Sequence, residues 1–196
     1  MVSVKEKFRD TRVILASRSP RRQLLLGGLG IRFDVIDNAG IDETYPAFLE
    51  ENEIPVYLAV KKSDAHEALL KENTLLITAD TIVCCGNRVL DKPSGREEAV
   101  EMLKLLSGRK HHVISGVCLR SRSKTVSFSS ATAVFFRDLT DEEIIYYVDN
   151  YKPYDKAGAY GIQEWIGYTG IRKINGSYYN VMGLPVDKLY ENLAGF

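Results

Sequence analysis

A chain of 196 residues with 45% hydrophobic side chains has the size and apolar content of one soluble globular domain. Its 26 Lys and Arg cancel 26 Asp and Glu to a formal charge of zero. That excludes the global field that advertises a nucleic-acid or membrane partner, so any anion must be recognised by local clustering. Three cysteines, Cys84, Cys85 and Cys118, make neither a CxxC pair nor a disulfide framework, and reduced thiols in a cytoplasmic setting are expected. The charged opening MVSVKEKFRD, and the lack of an apolar run near 20 residues, predict neither a secretory signal nor a membrane-spanning helix.

Val13 to Ala16 reads as a short buried strand. Ser19-Pro20 then supplies an N-cap and a first-turn proline for a helix carrying Leu24, Leu25 and Leu29 inward and stopping at Gly30. Phe33 to Ile36 is a second strand, and Ile54, Leu58, Ala65 and Leu69 mark one face of a helix ending near Leu70. Thr74 to Cys85 is a continuous apolar strand broken only by Asp80 and Thr81, and Gly86-Asn87 turns it into Arg88 to Leu90. Ser94 and Glu97 form a capping box for a helix that ends at Ser107-Gly108. His111–Leu119 and Lys124–Phe136 alternate as a long β-hairpin, and Thr140 with Glu143 caps a helix to about Val148. Ile171 to Ile174 turns through Asn175-Gly176 into a partner strand Tyr178 to Val181, and a last helix follows Pro185. The interspersed elements predict an α/β fold with a mixed sheet flanked by helices.

The charges are unevenly placed. Residues 1–30 hold seven basic side chains against two acidic ones, whereas Asp42 to Glu53 holds five acidic side chains and no Lys or Arg. No Walker loop, HExxH or GxSxG is present, and three histidines with these cysteines lack the spacing of a zinc site.

Four segments carry chemistry. In Leu15-Ala16-Ser17-Arg18-Ser19-Pro20-Arg21-Arg22, a strand turns into a helix N-terminus, which is an anion site; two hydroxyls and the guanidinium groups of Arg21 and Arg22 add to it. The helix dipole disfavours arginine there, so the pair calls for a compensating anion; the plain alternative is that both point to water. Asp80 lies in an apolar strand, where a carboxylate is costly unless paired, metal-bound or catalytic. Lys92 stands between a strand end and a helix cap. In Asp155-Lys156-Ala157-Gly158-Ala159-Tyr160-Gly161-Ile162-Gln163, small residues let the backbone pass close to a neighbour.

The segments LASRSPRR, GIDE, LAVKK, TADTIV, DKP, LSGR, DKAGAYGIQ and INGSYYNVMGLP occur in this order from Leu15 to Pro185. This set resembles the Maf family of nucleoside triphosphate pyrophosphatases. The resemblance implies a single domain over residues 1–196. It also implies an α/β fold related to the inosine triphosphate pyrophosphatases, with a mixed central sheet flanked by helices and two lobes around a deep cleft. The family's water-activating acid falls on Asp80, its phosphate-binding serine and arginines on Ser17, Arg21 and Arg22, a second acid on Glu43, and its lysines on Lys62 and Lys92. GAYGIQ is similar to the dTTP/UTP subtype, which associates Arg21, Thr81 and Gln163 with base selection. Arg18, Ser63 and the pair Glu164-Trp165 depart from the usual pattern, the last beside the base-selecting glutamine.

The implied reaction is attack of water on the α-phosphorus, giving a nucleoside monophosphate and pyrophosphate. Mg²⁺ or Mn²⁺ is the implied cofactor because the available ligands, Glu43 and Asp80, are carboxylates. The expected partner is a small nucleoside triphosphate, with no membrane, no stable nucleic-acid complex, and a homodimer as the family's assembly. Two rivals stand beside this reading. One is a pyrophosphatase for methylated GTP or other modified nucleotides. The other is a non-catalytic nucleotide or nucleic-acid binder acting in cell division, which needs the basic patch but not the carboxylates.

Overall fold

A computed structural model describes residues 3–38 and 40–196. The elements run α1 (Val4–Lys7), β1 (Arg12–Ala16), α2 (Pro20–Gly27), β2 (Asp34–Ile36), α3 (Ile54–Asp64), β3 (Thr74–Cys85), β4 (Arg88–Leu90), α4 (Arg96–Leu106), β5 (Lys110–Arg120) and β6 (Thr125–Phe136). They continue through α5 (Asp141–Tyr151), α6 (Trp165–Gly170), β7 (Ile171–Asn175), α7 (Tyr178–Met182) and α8 (Val186–Gly195). Short 3₁₀ turns cover Glu67–Leu69 and Ala157–Ala159.

The strands form one mixed sheet in the order β2-β1-β3-β5-β6-β7, with β4 paired to β3. β1 is parallel to β2 and β3, while β3–β4 and β6–β7 are antiparallel. The expected α/β class with a mixed sheet and flanking helices is therefore the observed one.

The chain divides into two compact units. The first comprises Met1–Asp80, Ser115–Ser130 and Gly183–Phe196, the second Thr81–Ile114 and Ala131–Met182. In the first, Ile14, Ala16 and Leu76 pack beneath Ile36, Leu69 and Leu70, and α1 packs on α8. In the second, α4 packs on α5, and His111, Phe136 and Tyr160 meet edge to face with centroids 5.0–5.4 Å apart.

Several local expectations need correction. Leu24 is 69% exposed; α2 buries Leu25, as expected, together with Leu26, and it ends at Gly27, short of Leu29 and Gly30. Ala65 is exposed; α3 buries Ile54, Pro55, Leu58, Ala59, Lys62 and Ser63, a stripe that ends in polar side chains. The α4 start is not a Ser94–Glu97 box: Gly95 is the N-cap, and the Glu98 carboxylate accepts from both Ser94 N–H and hydroxyl at 2.7 Å. Tyr178–Met182 is helical, not a return strand, since Ser177 Oγ accepts from Asn180 N–H as a cap would. β5 does not alternate but is buried along nearly its whole length, the pattern of a strand covered on both faces of the sheet.

Candidate active site

Strand register places the turn from Ser17 to Arg22. Ala16 pairs with Thr78, so the chain leaves β1 alongside the segment Thr78 to Asp80. Ser17, only 3% exposed, accepts from Ser19 N–H at 3.2 Å; the Ser19 hydroxyl in turn caps α2 by accepting from Arg22 N–H, with Pro20 as first helical residue. Arg21 and Arg22 occupy the first turn, as expected. Arg22 directs two of its donors to main-chain carbonyls, Nε to Gly183 and Nη1 to Ala79, both at 2.8 Å. It therefore clamps the strand residue that precedes Asp80. Burial pulls its guanidinium below the ordinary value, against the attraction of Asp80.

The buried carboxylate has found its partner. Thr78 and Asp80 project from the same face of β3, two residues apart, and Ala59 and Lys62 share one face of α3. The Thr78 hydroxyl donates to the Ala59 carbonyl at 2.7 Å, and the next step along both elements brings Lys62 Nζ to Asp80 Oδ1 at 2.6 Å. The same ammonium lies 2.6 Å from Glu43 Oε1. Lys62 is 5% exposed and Asp80 8%. The neighbouring residues repeat the motif in solvent: Lys61 Nζ binds Asp42 Oδ2 at 2.9 Å, which ties the loop that carries Glu43 to α3. The Thr44 hydroxyl and Lys61 hold the Asp42 carboxyl well below the usual carboxylate range.

Of the residues singled out in the sequence, Ser17, Arg21, Arg22, Glu43, Lys62 and Asp80 thus belong to the first unit. Thr81, half-buried in β3, Lys92, exposed after β4, and Gln163, between the second 3₁₀ turn and α6, belong to the second. The small residues before Gln163 do admit a close neighbour. Gly158 has φ of 67°, and a Cβ there would lie 3.0 Å from the Val83 side chain. Gln163 Oε1 is buried and has no hydrogen-bond partner among the described residues.

Three residues that sequence reading left without a role form a cluster beside it. Lys156 Nζ lies 3.0 Å from Glu164 Oε1, Tyr147 donates to Glu164 Oε2, and the Tyr147 hydroxyl accepts from Gly161 N–H at 3.0 Å. Glu164, one of the positions that depart from the family pattern, was the one available signal.

The fit of a divalent cation turns on donor chemistry. Asp80 and Glu43 offer hard carboxylate oxygens that already converge on one positive charge, and among the described residues no group of three or more His, Cys, Asp or Glu is placed to hold a metal. Two carboxylates plus oxygens from an anionic substrate is the coordination Mg²⁺ and Mn²⁺ favour, so the residues fit such an ion. Among the described residues, no helix is long and apolar enough to cross a membrane.

A family profile described as Maf-like protein matches residues 12–196. A dTTP/UTP pyrophosphatase of Parabacteroides distasonis is 54% identical, covering 97% of this chain and 99% of that protein. A dTTP/UTP pyrophosphatase of Porphyromonas gingivalis is 50% identical, covering 97% of each. A solved HAM1 protein from Coxiella burnetii is 12% identical with a TM-score of 0.48, covering 95% of this chain and 100% of that one.

Proposed function

The chain belongs to the Maf family, and from that premise we propose that it is a nucleoside triphosphate pyrophosphatase hydrolysing dTTP and UTP. The products are the nucleoside monophosphate and pyrophosphate. The observation that carries the catalytic reading is the buried Lys62 ammonium, 2.6 Å from both Asp80 and Glu43 in the unit that also holds the Ser17 to Arg22 turn. The base preference draws on the names of the relatives and on the unpartnered acceptor of Gln163.

In this mechanism Asp80 is the general base. It takes a proton from the water that attacks the α-phosphorus, with in-line departure of pyrophosphate. Ser17, Arg21, Arg22, Lys62 and Lys92 bind the triphosphate and stabilise charge on the leaving oxygens, a role in which fixed cations are worth most when shielded from water. Lys62 also aims Asp80, through the contact at 2.6 Å. Asp80 and Glu43 would hold Mg²⁺ or Mn²⁺, which when bound supplies further charge neutralisation at the phosphates.

Gln163 reads the base. An amide offers a donor and an acceptor, matching the carbonyl and N3–H that thymine and uracil share and that cytosine lacks as a pair. A cytosine in the same place leaves buried polar groups unpaired at about 1–3 kcal/mol each. Thr81 and Arg21 take supporting positions in base selection by their motifs. We assign the two units together to one catalytic domain, acting in the cytoplasm, where the three buried cysteines stay reduced. A homodimer is the expected assembly, and no nucleic-acid complex enters the cycle.

A pyrophosphate-release assay over the common triphosphates and methylated GTP tests this reading. Release from dTTP and UTP well above CTP and the purines is the expected result. Preference for methylated GTP would move the chain to another subtype, and no release from any triphosphate would make it a non-catalytic binder. Hydrolysis in ¹⁸O-water should label the monophosphate; label in pyrophosphate would overturn attack at the α-phosphorus.

A further inference from the structure

We propose that Tyr147 and Glu164 are positioning residues for base selection, fixing the backbone at Gly161 and thereby the direction in which Gln163 presents its amide. The proposal deepens the substrate reading above and rests on it.

All the groups involved belong to the second unit. Tyr147 is fully buried on α5, its ring stacked on Tyr151 with centroids 5.0 Å apart, so the position of its hydroxyl is set by packing. That hydroxyl does two things: it accepts from Gly161 N–H at 3.0 Å and donates to Glu164 Oε2. The other carboxylate oxygen, Oε1, pairs with Lys156 Nζ at 3.0 Å, and Lys156 is itself 8% exposed. The segment from Gly161 to Glu164 is therefore gripped at both ends by one phenol and closed by an ion pair. Burial and the bond to Glu164 push the Tyr147 phenol far above its ordinary value, so it remains a donor throughout the working pH range.

The grip reaches Gln163 directly. A Cβ placed on Gly161 would lie 2.9 Å from both Gln163 Nε2 and Glu164 Cδ. The amide nitrogen and the carboxylate thus share the space above one glycine. Displacing the carboxylate opens room into which the amide falls. The amide oxygen faces the opposite need: buried without a partner among the described residues, it is an acceptor waiting for an N–H such as the N3–H of a thymine or uracil ring.

Stability alone explains this arrangement poorly. A buried ion pair often does no better than apolar side chains of equal volume, so the charges are better accounted for by the direction they impose on the loop. A one-ångström misplacement of a reading group costs discrimination without unfolding the site.

The test uses the full chain with Tyr147→Phe, which keeps the ring and removes the hydroxyl, and with Glu164→Gln, which keeps an acceptor for Tyr147 but not the charge facing Lys156. For each, kcat/KM is measured on dTTP, UTP and CTP, beside the hydrogen-exchange protection of the Gly161 amide and the thermal midpoint. For Tyr147→Phe, the losses on dTTP and UTP should exceed the loss on CTP about tenfold, the worth of one well-placed hydrogen bond, with faster exchange at Gly161. Glu164→Gln should retain part of the preference. A Tyr147→Phe protein that keeps the whole dTTP to CTP ratio, or loses activity equally on all three, overturns the positioning assignment while the substrate reading stands. A wild-type protein with no preference for dTTP and UTP over CTP overturns the substrate reading and the positioning assignment with it. If Tyr147→Phe does not fold, the same ratios in Glu164→Gln decide.

Discussion

Lys62 in the first unit and Lys156 in the second are both nearly buried, and each sets its ammonium against two carboxylates. Their surroundings differ. Lys62 draws its partners from separate stretches of chain, Glu43 from the loop before α3 and Asp80 from β3, and both oxygens lie at 2.6 Å. Lys156 has its immediate neighbour Asp155, whose side chain is 57% exposed, and Glu164, whose second oxygen is already taken by Tyr147. A carboxylate compensated by an ammonium from another element can exchange that partner for a proton or another cation at little structural cost. One tied at both oxygens cannot change partner unless the backbone moves. The first arrangement suits chemistry, the second suits geometry.

The strongest way to break this contrast is Asp80→Asn. It preserves size and hydrogen bonding to Lys62 but removes the carboxylate proposed as the base, so kcat should fall about 10³-fold in a protein that stays folded. Turnover within tenfold of wild type would place the base elsewhere. Lys62→Met should come next. It leaves Asp80 without its ammonium and Glu43 close by, at a cost of about 3 kcal/mol in urea unfolding. Millimolar Mn²⁺ should restore part of that loss, because an ion that binds only the native state stabilises it by mass action. A loss that Mn²⁺ leaves untouched would argue against Asp80 and Glu43 as a cation-binding pair.

His111 extends the comparison to a buried base bonded to a phenol, Tyr160. Burial, with a smaller push from His112, lowers its pKa to about 3, and Nδ1 has no partner among the described residues. Below the ordinary value of 6.5 the unfolded chain takes up a proton that the native state refuses. Stability therefore falls as pH drops from about 6.5 toward 3, by about 2 kcal/mol between pH 7 and pH 5. His111→Gln, which can still bond the Tyr160 hydroxyl, should flatten that dependence in thermal melts. The smallest effect belongs to Asp155→Asn: an exposed partner leaves Lys156 still paired to Glu164, and unfolding should shift by less than about 0.5 kcal/mol. A larger shift would mean that the two lysines are less different than their surroundings indicate.

Local signals were legible where the physics is local. Ser19-Pro20 and the Thr140–Glu143 capping box start α2 and α5 as expected, and the apolar run Thr74–Cys85 is β3 to the residue. The hairpin expected at Asn175-Gly176 failed because a turn dipeptide reverses the chain without specifying the element on its far side, where Ser177 caps a helix. For the site, the residue types of the motifs were legible but their partners were not. Lys62 and Asp80 are 18 residues apart, and Arg22 reaches carbonyls 57 and 161 residues away. Such pairings arise from strand register and helix packing. The departure at Glu164 was legible but its partner was not, for the same reason: Tyr147 lies 17 residues away in the chain.

Trp165 is the only tryptophan in the chain, and α6 begins with it directly after Glu164. Its indole meets Tyr146 edge to face with centroids 5.0 Å apart, on the same helix that carries Tyr147. The protein thus carries a single indole fluorophore at the end of the loop it would use to read a base. A change in its emission on adding nucleotide reports on that loop alone, with no label to attach and no competing indole to subtract.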